Sequence, residues 1–319
     1  MSETGGEVAG YPDDLRDLVE VRLAELEFSA RKGTDGLQEA MRYSLLAGGK
    51  RVRPVLSLAT ARALGYAPEA FLDTAAATEL IHTYSLIHDD LPAMDDDELR
   101  RGMPTSHIRY GEDVAILAGD GLFAEAVKLF CAQAAGIPAG ASVAGTAGAG
   151  AAGPSAERVL AALGELAGAT GVDGMVGGQY IDVSQAAPGA ATLDAAGLQE
   201  LHRLKTGRLI AASIGVILEL TGTPATEQEP YRRFAAELGI LFQIVDDILD
   251  VVGEEASTGK SRGSDQRHGK LTYASLFGME RAHELATESL AGAERALAET
   301  DAQTDDLARI TRFIHARQT

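Results

Sequence analysis

The chain has 319 residues, 45% hydrophobic and 24% charged, with a formal net charge of −19 and no Trp. That acidity excludes a nucleic-acid-binding face, which needs clustered positive charge, and a phosphate-bearing substrate would require local Lys, Arg or metal to reverse the field. A single cysteine, Cys131, excludes an internal disulfide and fits a reducing cytosol, so a cytoplasmic protein is expected.

Met1 to Gly10 is acidic and shows neither a basic region nor an apolar core, so no secretory signal is visible there, and residues 1–12 read as a disordered tail. From Asp13 onward, apolar residues recur at helical spacing. The pattern covers 13–28, 37–47, 54–64, 73–91, 113–135, 155–171, 194–203, 206–221, 230–252, 271–298 and 303–316. No segment shows sustained strand alternation closed by a hairpin turn, and the abundance of Ala with only 5% aromatics agrees with an all-α protein. Residues 134–153 are almost entirely Ala and Gly with two prolines, too rich in Gly for a stable helix, and read as a surface loop. The longest apolar run, Leu209 to Leu218, is too short to span a bilayer.

Two acidic clusters stand out. Asp89 and Asp90 end an apolar helix, and Pro92 disturbs the turn after it, so Asp95 reaches the same point only if the Pro-containing stretch re-aims it. Asp96, Asp97 and Glu98 read as a solvated turn. The second cluster, Asp246-Asp247-Ile248-Leu249-Asp250, sits among Phe242, Ile244, Val245, Val251 and Val252. Asp246 and Asp250 share a helix face, where like charges repel unless a cation sits among them. A solvated acidic face is the ordinary reading of adjacent Asp residues, but these flanks are too apolar for it. Mg²⁺, which takes a few carboxylates plus substrate phosphate oxygens, fits both clusters.

Basic residues complete the picture. Arg100 and Arg101 come after the first cluster, either as plain charge balance or as bidentate grips for phosphate. Gly48-Gly49-Lys50-Arg51-Val52-Arg53 gathers three cations beside glycines that let backbone come close. Lys205-Thr206-Gly207-Arg208 reads as the head of an apolar helix, where an anion is welcome. Lys260 and Lys270 lie in the polar stretch after the second cluster, either as surface lysines or within reach of the same pocket.

The stretches GGKRVRP, IHTYSLIHDDLPAMDDDELRRGMPTSH, GGQYIDV, KTGRLI and FQIVDDILDVVG, and then DQRHGK, resemble in that order the (all-E)-isoprenyl diphosphate synthases, over about Leu37 to Lys270. The spacing of the first motif, DDxxxxD, is most similar to the bacterial farnesyl diphosphate-forming branch. The resemblance implies one catalytic all-helical domain over 13–319, a bundle around a deep central cavity, in a homodimer. It implies three Mg²⁺ ions on Asp89, Asp90 and Asp95 from one wall and Asp246, supported by Asp250, from the other. An allylic diphosphate would be held by Arg100, Lys205, Thr206 and Lys260, and isopentenyl diphosphate by Lys50, Arg53, His82 and Arg101. His82 alone reads equally as a core histidine. Gln243 and Asp182 would support the site, with Lys270 close by, and Asp89, Asp90, Asp95, Arg100, Lys205 and Asp246 would carry the catalysis. Tyr84 and Ser85, five and four residues before the first Asp, would form the floor that limits product length. The implied reaction is Mg²⁺-dependent 1'-4 condensation to farnesyl diphosphate, with geranylgeranyl diphosphate as the alternative product. A terpene cyclase and a noncatalytic synthase subunit are the competing classes. The first would want a hydroxyl residue where Asp250 stands, and the second tends to lose the Asp and Arg residues retained here.

Overall fold

The computed structural model describes residues 10–136, 154–185, 193–252 and 271–317. Within them the protein is helical except for one small hairpin. The helices are α1 (Asp13–Glu25), α2 (Asp35–Leu45), α3 (Val52–Ala63), α4 (Leu72–Asp89), α5 (Ser106–Tyr110), α6 (Glu112–Gly136), α7 (Ala156–Thr170), α8 (Met175–Gln185), α9 (Ala195–His202), α10 (Arg208–Thr221), α11 (Ala225–Val252), α12 (Tyr273–Phe277), α13 (Met279–Ala298) and α14 (Asp305–Ala316). Helices α3, α4 and α10 form the centre of the bundle. In α10 nearly every residue from Leu209 to Leu220 is buried, as expected of a helix apolar all round. Helix α4 runs along α6 and against α3, α10 packs on α7 and α3, and α11 lies against α13.

Four features depart from the sequence reading. Residues 10–12 are not loose: Tyr11 is buried, its ring 4.8 Å from Phe313, and Arg309 donates to the carbonyls of Gly10 and Tyr11. Two-residue strands β1 (Leu99–Arg100) and β2 (Met103–Pro104) pair antiparallel, too short to show alternation. Their turn holds Arg101 and Gly102 at φ 53° and 74°, the left-handed pair that a two-residue hairpin requires. Helix α8 covers the Gly-Gly-Gln-Tyr motif, where no helical pattern was legible. Helices α9 and α10 are one continuous rod joined by a π turn, Arg203–Gly207, so Lys205 and Thr206 do not head a free helix. The Ala/Gly-rich loop expected at 134–153 lies outside the described residues, save 134–136, which end α6. One stretch, Ala156–Gln185, is long and apolar enough by composition to cross a membrane, but the turn at 171–174 breaks it into α7 and α8.

Candidate active site

A cavity of about 1010 Å³ opens between α4, α8, the π turn and α11. Its wall carries Asp89, Asp95, Arg100 and Arg101 from the first motif, Lys50 and Arg53 from the basic loop, and His82, Tyr84 and Ser85 from α4. Asp182, Lys205, Thr206, Gln243, Asp246 and Asp250 complete it. Residues far apart in the sequence thus face one space. Lys260 and Lys270 lie outside the described residues.

The Pro92 stretch does what the spacing required. The chain turns back so that the Asp95 amide donates to the Asp89 carbonyl at 2.9 Å, and Asp96 takes φ 53° to complete the reversal. Asp95 is thereby brought over the end of α4 beside Asp89. Asp90 behaves differently from the expectation that it ligates metal. It is 3% exposed, does not line the cavity, and accepts from Arg100 Nε at 2.9 Å and Nη2 at 2.5 Å. Asp89 ends α4 and Asp90 follows it, pointing about 100° away; here Asp89 lines the cavity while Asp90 turns to Arg100. Asp90 anchors the guanidinium of Arg100, which also lies 3.6 Å from Asp97.

Burial raises the Asp89 carboxyl above its ordinary range; Lys205 pulls it back, while Asp95 and Asp90 push it further up. The wall therefore wants more positive charge than the protein supplies. On the opposite side Asp246 and Asp250 of α11 face the same cavity one helical turn apart. Among the described residues no three acid, His or Cys side chains converge as a closed metal cage. Two opposed carboxylate walls of hard oxygen donors fit Mg²⁺, which keeps water and substrate oxygens in most of its coordination positions.

The basic end is built on a buried ion pair. Arg51, at φ 53°, turns inward and donates to Glu79 and Glu20, both at 2.8 Å, and to the Leu45 carbonyl. Removing one partner of such a buried pair costs about 3–5 kcal/mol, so Arg51 is a structural anchor and not a substrate ligand. Its neighbours are left for the cavity. Lys50 is exposed, with its ammonium 5.0 Å from the Phe313 ring centroid. Arg53 is buried with Nε unpartnered, and burial pushes its guanidinium down to about 10, aided by Arg101 and opposed by Glu79 and Asp246. Arg101 donates to the Gly48 carbonyl, and a Cβ on Gly49 would lie 2.8 Å from its guanidinium carbon, so the glycine makes that approach possible. His82 faces these cations. Burial, then Arg53, Arg101, Arg100 and Arg51, hold it neutral by pushing it well below the usual histidine range.

Lys205 donates to Asp182 at 2.6 Å, and Thr206 donates to Gln243 at 3.1 Å. The π turn that sets them is a frequent device at functional sites. Gly178 of α8 admits it, since a Cβ there would meet the Lys205 amide nitrogen at 2.2 Å. Sequence reasoning passed over Asp247, Gln179 and His202. Asp247 is 2% exposed and accepts from Gln243 Nε2 and the Tyr273 amide. Both amide atoms of Gln179 are buried without a partner, and its place in GGQYIDV was the signal.

His202 has an unpartnered Nδ1, and burial, aided by Lys205 and opposed by Asp182, lowers it to about 4. The unfolded chain, with its histidine near 6.5, binds more protons between those values, so stability falls as pH drops through them. Denaturant unfolding at pH 4.5 against pH 7 is expected to show about 2–3 kcal/mol of acid loss from this residue, absent in His202→Gln.

Comparison with known proteins agrees with this geometry. The polyprenyl synthetase family profile matches residues 34–314. The chain is 42% identical over 310 residues to the farnesyl diphosphate synthase of Geobacillus stearothermophilus, covering 97% of this chain and 98% of that protein. It is 45% identical over 252 residues to the chloroplastic geranylgeranyl pyrophosphate synthase of Capsicum annuum, covering 79% and 63%. Among solved structures it superposes with a TM-score of 0.76 on the geranyltransferase from Helicobacter pylori complexed with magnesium and isoprenyl diphosphate, at 27% identity over 100% of this chain and 98% of that one.

Proposed function

Because the chain belongs to the polyprenyl synthetase family and is a prenyltransferase, we propose that it joins isopentenyl diphosphate to dimethylallyl or geranyl diphosphate, head to tail, to make farnesyl diphosphate. The observation that carries this reading is the convergence of two carboxylate walls and two separate sets of cations on one cavity. One set, Lys205 and Arg100, lies by the carboxylates and suits the allylic diphosphate. The other, Lys50, Arg53 and Arg101 with His82, suits the diphosphate of the second substrate.

Magnesium, three ions in this reading, would be held by Asp89, Asp95, Asp246 and Asp250 and would supply the positive charge that makes diphosphate a tolerable leaving group. Asp89, Asp95, Asp246 and Asp250 hold that charge in place, and Lys205 and Arg100 add to it where negative charge grows. The allylic C1–O bond breaks with both electrons going to oxygen. The apolar wall excludes water that would quench the allylic cation. Arg53 and Arg101 hold the second substrate so that its C4 reaches C1; the new C–C bond forms, and the C2 proton leaves, with the departing diphosphate as its acceptor. No protein nucleophile enters. Tyr84 lines the cavity on the helix that ends in Asp89, and in this reading it meets the growing chain, which favours the C15 product over C20.

A homodimer in the cytoplasm is part of this reading. Ile116, Leu117 and Phe123 form an exposed apolar stripe on α6, and sedimentation of the protein as a dimer checks it. The reaction itself is tested by incubating the protein alone with dimethylallyl and isopentenyl diphosphates and Mg²⁺. Chain elongation to C15 is expected; cyclic products, or inactivity until a second polypeptide is added, would overturn the assignment.

A further inference from the structure

Lys50 stands in the cavity wall without the usual restraint on a lysine. Gly48 and Gly49, at φ 81° and 126°, shape the backbone before it, but its side chain is exposed. The acids that meet this loop, Glu20 and Glu79, are both taken by Arg51 at 2.8 Å. The Lys50 ammonium lies instead over the ring of Phe313, 5.0 Å from its centroid. Phe313 belongs to α14, at the other end of the chain. That helix buries Leu307, Ile310, Thr311 and Ile314 and leaves Phe313 half-buried beside them. The ring is braced. Tyr11 is buried 4.8 Å from it, and Arg309 of the same helix donates to the carbonyls of Gly10 and Tyr11 at 2.8 and 3.3 Å.

A free lysine side chain loses rotamer freedom when a substrate orders it, and a neighbour that orders it beforehand removes that loss from binding. A carboxylate could do so, but it would neutralise the ammonium and repel the incoming diphosphate. The face of an aromatic ring attracts the cation through its quadrupole and leaves the full charge for the substrate. We infer that Phe313 is a positioning residue, whose ring holds the Lys50 ammonium in place for the diphosphate of isopentenyl diphosphate while leaving its charge intact. The inference rests on the prenyl-transfer reading above, which assigns Lys50 to that substrate but gives α14 no part in binding it.

The test is Phe313→Leu, which removes the ring and keeps apolar bulk against Tyr11. The KM for isopentenyl diphosphate is expected to rise about twofold to fivefold, the range of an exposed cation–π contact, while kcat and the KM for dimethylallyl diphosphate stay within about 1.5-fold. Phe313→Tyr keeps the ring face and should keep the wild-type KM. Lys50→Met alone should raise that KM about tenfold or more. Adding Phe313→Leu to it should change nothing further, because the ring then has no cation to hold. A merely structural loss would appear in the Lys50→Met background as well, and thermal unfolding accompanies each variant. A second readout needs no turnover. In protein with reductively dimethylated lysines, which keep their charge, the ring current shifts the Lys50 methyl resonance upfield, and Phe313→Leu should move it back. Lys50→Met assigns that resonance by its loss. An unchanged KM in Phe313→Leu, an equal rise in both backgrounds, or a Lys50 resonance that does not move would overturn the inference. A wild-type protein that elongates no chain overturns the functional reading, and the inference with it; elongation beside any of those results overturns this inference alone.

Discussion

Asp246→Ala is expected to lower turnover by about a thousandfold or more, and no concentration of Mg²⁺ should restore it. The magnitude comes from where the side chain stands. Asp246 faces the cavity across from Asp89 and Asp95, and burial together with Asp95 already pushes the Asp89 carboxyl upward, so the first wall alone is short of positive charge. A cation held by one wall lacks the second set of hard oxygens that fixes its distance to the leaving diphosphate. In a cavity sheltered from water, a misplaced charge loses most of its value in the transition state. The loss should appear in kcat and in calorimetric binding of Mg²⁺ with inorganic diphosphate. The KM for isopentenyl diphosphate should stay nearly constant, because the proposed grip on that substrate uses Lys50, Arg53 and Arg101, which line the same cavity on other elements. Turnover at the wild-type rate would refute the two-wall arrangement.

Asp90 and Asp247 separate what a motif can reveal from what it cannot. The acidic strings, the basic loop and the Lys-Thr pair were legible in the sequence because carboxylates in apolar flanks need a cation and clustered cations need an anion. The structure brings Asp89, Asp95, Lys205, Asp246 and Asp250 to one cavity in agreement with that logic. It turns Asp90 to Arg100 and Asp247 to a backbone amide 26 residues on. The partner of Asp247 was hidden, because a hydrogen bond to backbone leaves no mark on residue type, whereas Arg100 beside the first cluster was legible as charge balance. Most of the helices were visible from apolar periodicity. Helix α8 was not: its Gly177 and Gly178 are poor helix formers, kept because the Val172 carbonyl and the Lys205 backbone leave no room for a Cβ. The π turn was hidden for a related reason, since Thr-Gly in an apolar pattern reads as a helix start, while here Gly207 continues the rod in right-handed geometry. The positions that defied local propensity are those that set Lys205 and Thr206, as expected where function overrides local preference.

Tyr84→Ala should move the main product from C15 to C20 and longer, read by chromatography of the dephosphorylated products. Helix phase left open whether Tyr84 faces the growing chain; the structure puts it in the cavity wall, on the helix that ends in Asp89. Its ring is held from two sides in edge contacts, 5.7 Å from the His88 ring and 5.4 Å from Phe123. His88 is itself pinned, with Nε2 3.1 Å from the Ile116 carbonyl, and Gly119 makes room for it, since a Cβ there would stand 2.2 Å from that nitrogen. A ring held in this way would act as a fixed stop, as the proposed C15 product requires. Truncation removes the stop without changing the carboxylate walls or the cations, so rate constants for the first condensations should change little. The stability cost should fall below the about 3–5 kcal/mol of a fully enclosed aromatic, because the ring borders open cavity and not only packed core. His88, one residue before Asp89 on α4, and Phe123 of α6 are left flanking the vacated position. If Tyr84→Ala released only C15, the stop would have to lie elsewhere and the floor assigned to α4 would be wrong.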